Sequence, residues 1–355
     1  MNSPYTIETV TSNLFAFSTQ SEPFIIAEIS ANHSGKIENC FKLIDTAISA
    51  GASAVKFQTY TANSITLDSD LPDFKISENS PWRDFGSLYK LYEKAYTPWE
   101  WHKDLFDYCK DKKIISFSSA FDETSVEFLE SLNTPFHKLA SPEINHIPLI
   151  KCMAKTRKPI LLSLGVASEK DLDLAIETIK SESDSEIIIM QCDTAYPAES
   201  FNSNINLLSY LSKKFPYTLG LSDHTLNSIS AITAVALGAK VFEKHLALND
   251  EESVDSFFST SASEFQKYVL ELKEAYKTLG KPIFRINDSQ IQFPSKRSVY
   301  PTRDIQINEM FTEENIKVLR PGFSLSPSKY EWLLGKKASR LIKRGERIKL
   351  DDVSE

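Results

Sequence analysis

The chain has 355 residues, of which 41% are hydrophobic and 25% are charged, so it can bury a large core and form one big domain plus a small one. Its formal net charge of −8 excludes a general nucleic-acid or anionic-membrane binder, because either would need a basic surface. The 4 cysteines include no CxxC pair, and the chain shows neither a leader at residues 1–11 nor an apolar run of about 18 residues. These features predict a soluble protein of the reducing cytoplasm.

Short apolar runs rich in β-formers alternate with amphipathic stretches along the first two thirds of the chain. The predicted strands are residues 24–29, 54–58, 114–118, 137–140, 159–163, 187–191, 218–222 and 240–244. The predicted helices include residues 37–50, 98–110, 123–132, 169–179, 204–213, 226–237 and 265–279. Repeated strand and helix units of this number favour a (β/α)8 TIM barrel over an open doubly wound sheet.

One connection, residues 59–97, is too long for a plain loop after the second strand. It contains Leu88, Tyr89, Leu91, Tyr92 and Tyr96. Long insertions at this position of a barrel often shape a substrate pocket. A surface excursion with its own small helix is the alternative interpretation.

A second domain is predicted after the barrel. Residues 1–280 are assigned to the barrel, 281–295 to a linker of little periodicity that follows Gly280 and carries Pro and polar residues, and 296–355 to a compact β-rich module. Short strands and turns are predicted at residues 305–309, 320–322 and 345–349. A module of this size is marginally stable alone, so we expect it to pack on something.

Polar side chains collect at the carboxyl ends of the predicted strands, where barrels build their active sites. Lys56 and Gln58 lie on one face of their strand, and Val55 and Phe57 lie on the other. The residues at these ends are Glu28, Lys56, Gln58, Ser118, Ser119, Lys138, Ser141, Glu143, Ser163, Gln191, Cys192, Ser222, Asp223, His224, Glu243, Lys244 and His245. Converging lysines and hydroxyls suit a small phosphorylated carboxylate, so we predict an anionic ligand.

His224 and His245 end neighbouring strands, which lie about 4.8 Å apart in a sheet. Two imidazoles at that spacing can share a divalent ion and leave positions open for water and substrate. A structural role for each histidine is the alternative. Asp223 and Glu243 are interpreted either as partners that orient the imidazoles or as ion-pair partners of Lys244.

The chain resembles the sialic acid synthase family, which comprises the N-acetylneuraminate, legionaminate and pseudaminate synthases. The resemblance rests on residues 27–33, 55–60, 138–143, 220–225 and 243–245. After the linker, residues 296–298, 315–316, 320–322, 326–327 and 335–336 resemble the antifreeze-like SAF domain. Residues 30–33, 88–101 and 255–259 are most similar to pseudaminate synthases.

The resemblance implies condensation of phosphoenolpyruvate with 2,4-diacetamido-2,4,6-trideoxy-L-altrose to give pseudaminic acid and phosphate. His224 and His245 would hold Mn2+ or Mg2+, and Arg320 would reach the sugar from the small domain of a partner subunit in a domain-swapped homodimer. Phosphoenolpyruvate would be held by Lys56, Lys138, Ser141, Ser163, Ser222 and Lys296. The sugar would be held by Glu28, Gln58, Glu143, Tyr196 and Asp255.

Glu28 and Glu143 are candidates for proton transfer, since a crowded and desolvated carboxylate can acquire a raised pKa, although either can equally be a plain ligand of a sugar hydroxyl. Three features depart from the family pattern: residues 246–248, residues 163–165, and Asp193, which places a negative charge near the predicted phosphate.

Three other activities remain open from the sequence. The same reaction can act on N-acetylmannosamine or on the 2,4-diacetamido-2,4,6-trideoxymannose precursor of legionaminic acid. Lys138 can serve as the Schiff-base lysine of a metal-independent aldolase. The third alternative is a sugar-binding module without catalysis.

Overall fold

The computed structural model describes residues 17, 22–248, 252–282, 284 and 295–355. Residues 1–11, for which no leader is predicted, and most of the predicted linker, residues 283 and 285–294, lie outside this part of the chain. The chain divides into two compact units, Met1–Gly280 and Lys281–Glu355. Within the described residues, no helix is long and apolar enough to cross a membrane.

The first unit contains a closed barrel of eight parallel strands in sequence order, which confirms the predicted TIM barrel. Strands β1 and β8 pair with each other and close the barrel. The strands are β1 (Phe24–Glu28), β2 (Ala54–Thr59), β3 (Ile115–Ala120), β4 (His137–Leu139), β5 (Ile160–Ser163), β6 (Ile187–Cys192), β7 (Thr218–Asp223) and β8 (Val241–His245).

Helices cover the outside of the barrel and bury their apolar faces against it. The α-helices are α1 (Ile37–Ala50), α2 (Ala62–Ile65), α3 (Leu88–Ala95), α4 (Trp99–Asp111), α5 (Glu123–Ser131), α6 (Ile147–Lys155), α7 (Glu169–Glu182), α8 (Leu207–Lys214), α9 (Ile229–Ala236), α10 (Ala262–Thr278) and, in the second unit, α11 (Tyr330–Leu333). In α1, Cys40, Leu43, Ile44 and Ala47 recur at helical spacing and are buried. Helix α1 ends at Gly51, whose φ of 87° suits a left-handed cap.

The barrel interior is layered, with apolar side chains below and polar side chains above. Because side chains alternate along each strand, a strand such as β1 sends Phe24 and Ile26 into the apolar layer and then Glu28 into the polar one. Phe17 packs in the apolar layer, with its ring centroid 5.0 Å from that of Phe24. The polar layer therefore opens at the carboxyl ends of the strands and rests on a dry, packed base.

The second unit is a small β-rich module with its own core, built around residues such as Val299, Phe311 and Ile316. Its strands are β9 (Ser298–Pro301), β10 (Ile316–Leu319), β11 (Lys337–Ala338) and β12 (Val353–Ser354), paired as two antiparallel two-stranded sheets. Of the segments predicted here as short strands and turns, 320–322 and 345–349 form no strand, and 305–309 contributes one isolated bridge, between Ile305 and Ile342.

Candidate active site

Lys56 lies at the centre of a buried ionic cluster in the barrel mouth. Glu28 is in register with Lys56 on β2 and with His245 on β8, which brings these side chains to one level. The Lys56 Nζ lies 2.5 Å from Glu28 Oε2 and donates a hydrogen bond of 2.8 Å to Ser119 Oγ. Strand parity thus places the predicted lysine and carboxylate in direct contact.

Glu243 joins this cluster to the second lysine. Lys138 Nζ donates to both carboxylate oxygens of Glu243, at 3.1 and 2.9 Å, and Ser222 Oγ donates to the same carboxylate at 3.3 Å. Lys56 Nζ is 3.5 Å from Glu243 Oε1. Glu243 is therefore the shared counter-ion of both predicted ligand-binding lysines, a role that the sequence analysis missed.

Asp223 and Lys244 lie on the outer face of their strands and pair with each other. Lys244 Nζ is 3.1 Å from Asp223 Oδ2, and it also lies 4.8 Å from the ring centroid of Tyr268 on α10. The predicted Lys244 ion pair is thus formed by Asp223, while Glu243 faces inward. The alternation of side chains along β8 carried this signal, since Glu243 and His245 share a face.

The two central carboxylates differ in their affinity for a proton. Burial favours the neutral form of Glu243, but Lys138 and Lys56 outweigh burial and lower the pKa of Glu243 to about 2. Burial is also the largest influence on Glu28 and raises its pKa above the usual value, with Lys56 opposing and Glu243 reinforcing the shift. Glu243 therefore stays charged, and Glu28 is the carboxylate of the cluster with the higher affinity for a proton.

The imidazoles of His224 and His245 face each other with ring centroids 5.3 Å apart. His224 Nδ1 lies 2.5 Å from the carbonyl oxygen of Asp193, which can only accept, so the neutral ring donates from Nδ1 and keeps a lone pair on Nε2. His245 Nδ1 has no hydrogen-bond partner among the described residues. Burial lowers the pKa of His224 to about 4 and that of His245 well below its usual value, so both rings are neutral near pH 7.

Neutral imidazoles with open nitrogens are what a divalent ion needs, so the two histidines fit a metal site. In the described part of the chain, no group of three or more His, Cys, Asp or Glu side chains has a metal-binding arrangement. The remaining ligands of an ion held here would accordingly come from water and substrate.

Aromatic side chains enclose the two imidazoles. The ring centroid of Tyr196 is 4.3 Å from that of His224, and the centroid of Phe258 is 4.8 Å from that of His245. Trp82 packs on Tyr196 at 5.8 Å. These rings limit the movement of both imidazoles and reduce the access of water to them.

Beside the imidazoles lies a cavity of about 520 Å³ that is lined in part by Gln58, Glu143, Tyr196, His245 and Asp255. All four predicted sugar ligands outside the ionic cluster therefore face one space next to the predicted metal site. A cavity of this volume suits a small ligand.

Asp255 is buried where the loop after β8 meets the loop after β1. Its carboxylate accepts hydrogen bonds from the Ser30 hydroxyl and, at 3.2 Å, from the Ala31 N–H. Gln58 Nε2 donates to Ser30 Oγ at 3.4 Å. These contacts fix the carboxylate of Asp255 and the amide of Gln58 at the cavity wall.

The two predicted serine ligands on the far side of the mouth are buried. Ser141 Oγ accepts the N–H of Val166 at 2.8 Å, and Ser163 Oγ has no partner among the described residues. A Cβ on Gly165 would lie 2.5 Å from Thr194 Cγ2 and 2.9 Å from Ser141 Oγ, so the glycine of this atypical segment permits the loops to approach closely.

The remaining predicted positions are Asp193 in the first unit and Lys296 and Arg320 in the second. Asp193 Oδ1 accepts the N–H of Ala195 at 2.9 Å, which anchors the charge that departs from the family pattern. Lys296 and Arg320 are exposed, and Arg320 lines a cavity of about 420 Å³ within its own module. Their predicted contacts with substrate stay predictions.

Glu143 should make stability depend on pH. Burial raises its pKa from 4.5 to about 7, and its Oε2 has no hydrogen-bond partner among the described residues. Between these two pH values the native state binds a proton that the unfolded chain has released, so the free energy of unfolding falls as pH rises through the window. We expect Glu143→Gln to reduce the stability lost between pH 5 and pH 8 by about 2 kcal/mol, measured by urea denaturation.

The matched control for this measurement is Glu93→Gln, which removes an exposed carboxylate from α3. It should keep the pH dependence of the unaltered protein. If the free energy of unfolding depended on pH equally in Glu143→Gln and in the unaltered protein, Glu143 would be ionised in the native state at pH 5.

Comparisons with known proteins agree with this fold. A model of the NeuB family matches residues 43–284, and a model of the SAF domain matches residues 296–354. The pseudaminic acid synthase of Campylobacter jejuni is 41% identical over 338 residues, covering 95% of this chain and 98% of that protein. The N,N'-diacetyllegionaminic acid synthase of the same organism is 31% identical over 331 residues, with coverage of 92% and 98%.

The crystal structure of the spore coat polysaccharide biosynthesis protein SpsE from Bacillus subtilis has a TM-score of 0.61 and 32% identity, and it covers 94% of this chain and 96% of that one. The small module at the end of the chain is the predicted SAF domain. With a family model that spans more than half of its length, the chain belongs to the NeuB family, the sialic acid synthases.

Proposed function

We propose that this protein is a pseudaminic acid synthase, which joins phosphoenolpyruvate to 2,4-diacetamido-2,4,6-trideoxy-L-altrose and releases phosphate. The observation that carries the proposal is that two buried lysines lie beside two neutral imidazoles in one barrel mouth, next to a cavity for a second substrate. The choice of sugar is supported by the higher identity to the pseudaminic than to the legionaminic acid synthase of Campylobacter jejuni.

Phosphoenolpyruvate carries a phosphate and a carboxylate, and both need cations and donors. The proposed ligands are Lys56, Lys138, Ser141, Ser163 and Ser222, with Lys296 contributing from the chain after the barrel. Burial in the mouth strengthens the attraction of the lysines for an anion, because little water screens it. The hydroxyl of Ser163, which lacks a protein partner among the described residues, is available to donate.

His224 and His245 are the proposed ligands of a divalent ion, Mn2+ or Mg2+. Imidazole ligands favour the first, because Mg2+ prefers oxygen ligands and retains its water. When bound, such an ion supplies Lewis acidity that polarises an aldehyde oxygen.

Gln58, Tyr196 and Asp255 are the proposed sugar ligands, and Glu28 and Glu143 are the proposed proton carriers. As C3 of phosphoenolpyruvate bonds to the aldehyde carbon, the aldehyde oxygen takes up a proton to become a hydroxyl. Water then adds at C2 and loses a proton before phosphate leaves. Carboxylates with a raised pKa can serve both transfers near pH 7, since their two forms are then both populated.

The functional unit is proposed to be a cytoplasmic homodimer in which the SAF domain of one subunit brings Arg320 to the barrel of the other. The exposed guanidinium of Arg320 forms no ion pair with the described residues, and such a group suits a carboxylate or carbonyl ligand. All 4 cysteines are free thiols, which suits a reducing compartment.

Arg320→Ala should raise KM for the sugar without changing KM for phosphoenolpyruvate.

The decisive experiment measures phosphate release by the purified, metal-loaded protein from phosphoenolpyruvate with three separate acceptors. These are the L-altrose compound, the corresponding trideoxymannose compound and N-acetylmannosamine. Release with the L-altrose compound is expected, and preference for another acceptor would overturn the assignment of the sugar. Activity with pyruvate in the presence of EDTA would instead support a Schiff-base aldolase at Lys138.

A further inference from the structure

The cavity beside the histidines is lined by polar and apolar residues. The polar ones include Gln58, Glu143 and Asp255, and much of the remaining lining comes from the long insertion after β2. The insertion therefore lines part of this cavity, and it also carries its own short helix, α3. Its apolar and aromatic contribution, which forms a wall of the cavity, is Tyr60, Ile65, Ile76, Trp82, Leu88, Leu91, Tyr92 and Ala95.

Leu88 and Leu91 stand one helical turn apart on α3 and line the cavity together. Leu91 is buried and Leu88 is half-buried. Three aromatic residues line the same cavity, where Tyr60 packs edge-on against Tyr92 at 5.8 Å and against Phe121 at 5.1 Å. Aromatic packing on this scale holds the wall in place, so its shape is set before a ligand enters.

Three polar residues of the insertion also line the cavity, and each has one polar contact within the insertion. Lys75 Nζ is paired with Asp70 at 2.5 Å. The hydroxyl oxygens of Ser77 and Ser80 accept backbone N–H groups at 3.4 and 3.3 Å. A sugar hydroxyl placed against Leu88 and Leu91 would find no hydrogen-bond partner on either leucine side chain.

The candidate acceptors differ in the groups that such a wall would meet. A 2,4-diacetamido-2,4,6-trideoxy sugar carries two acetamido methyl groups and a methyl group at C6, whereas N-acetylmannosamine carries hydroxyls at C4 and C6. Methyl groups gain from contact with leucine side chains, while a buried hydroxyl without a partner is penalised. The number of methyl groups does not separate the altrose from the mannose compound, because both trideoxy sugars carry the same ones.

We propose that Leu88 and Leu91 are specificity-determining residues, which select acceptors with methyl groups over acceptors with hydroxyls at C4 and C6. This inference rests on the proposed function and adds to it the part of the pocket that reads deoxygenation.

The test compares kcat/KM for the L-altrose compound with kcat/KM for N-acetylmannosamine in the unaltered protein and in Leu88→Asn. The asparagine is close in size to leucine but offers a hydrogen-bond donor and acceptor. We expect the ratio to fall about 10- to 100-fold, the range that single contacts of this kind supply. KM for phosphoenolpyruvate should stay the same.

Two variants separate chemistry from general damage. Leu88→Met keeps an apolar contact and should keep the preference for the deoxy sugar. Leu67→Asn makes the same apolar-to-polar change in the same insertion at a residue that is 63% exposed and does not line the cavity, so the ratio should not change. If Leu88→Asn lacks a cooperative melting transition, Leu88→Ala replaces it and should lower kcat/KM for the deoxy sugar alone.

An unchanged ratio in a folded Leu88→Asn or Leu88→Ala protein would overturn the inference while leaving the proposed function intact. Preference of the unaltered protein for N-acetylmannosamine would overturn the proposed function itself, whatever the variants do.

Discussion

Replacing His224 or His245 with alanine should abolish tight manganese binding and lower kcat by about 10³-fold, which corresponds to about 4 kcal/mol of lost transition-state stabilisation. Each variant leaves one imidazole, and among the described residues no third His, Cys, Asp or Glu is placed to complete the site. The loss should be larger than that caused by removing any orienting partner, which is about 10- to 100-fold.

Manganese binding, followed by electron paramagnetic resonance, gives a readout that does not depend on turnover. His146→Ala is the matched control, because His146 lies at the start of α6 and outside the cavity lining. It should keep manganese affinity and activity. Full manganese affinity in either the His224 or the His245 variant would contradict the assignment of that residue as a ligand.

The barrel and the polar character of its mouth could be predicted because both depend on short-range patterns. Alternation along single strands assigned Lys56 and Gln58 to one face, and strand order then brought His224 and His245 together. Helix α6 was not predicted, although Pro148 occupies its first turn, where proline is well tolerated.

What the sequence analysis missed depends on pairings between distant parts of the chain. Glu243 meets Lys138 from 105 positions away across the barrel, and that contact requires the register of closure to be known. The hydrogen-bond partner of the His224 ring is the backbone carbonyl of Asp193, and a backbone contact of this kind cannot be predicted from the residue type. The apolar wall of α3 could be seen as a helical pattern, but its position over the cavity follows only from the fold of the insertion.

The Glu243 contacts lead to the second large effect. Glu243→Gln should lower the free energy of unfolding of the ligand-free protein by about 3–5 kcal/mol, because it leaves a buried cation without its counter-ion. Lys138 loses a carboxylate that it contacts through both oxygens, and among the described residues it forms no other hydrogen bond. Lys56 is affected less, since it still contacts Glu28 at 2.5 Å. Urea denaturation measures the loss.

Glu28→Gln is the matched control, since it makes the same change in the same cluster. Its effect should be smaller, because burial already raises the pKa of Glu28 and brings its neutral form closer in free energy. An equal loss in both variants would contradict the assignment of Glu243 as the main counter-ion.

Anion binding tests the same assignment with the opposite sign. Inorganic phosphate binds only the native state in this picture, so it should raise the unfolding midpoint of every variant that keeps the lysines. The rise should be larger for Glu243→Gln than for the unaltered protein, because phosphate then replaces a missing negative charge between Lys138 and Lys56 and no longer competes with a carboxylate. A smaller rise would mean that Glu243 helps to bind the anion, for example by holding Lys138 in position. That outcome would contradict the expectation that phosphate takes the place of Glu243 as the counter-ion of the two lysines.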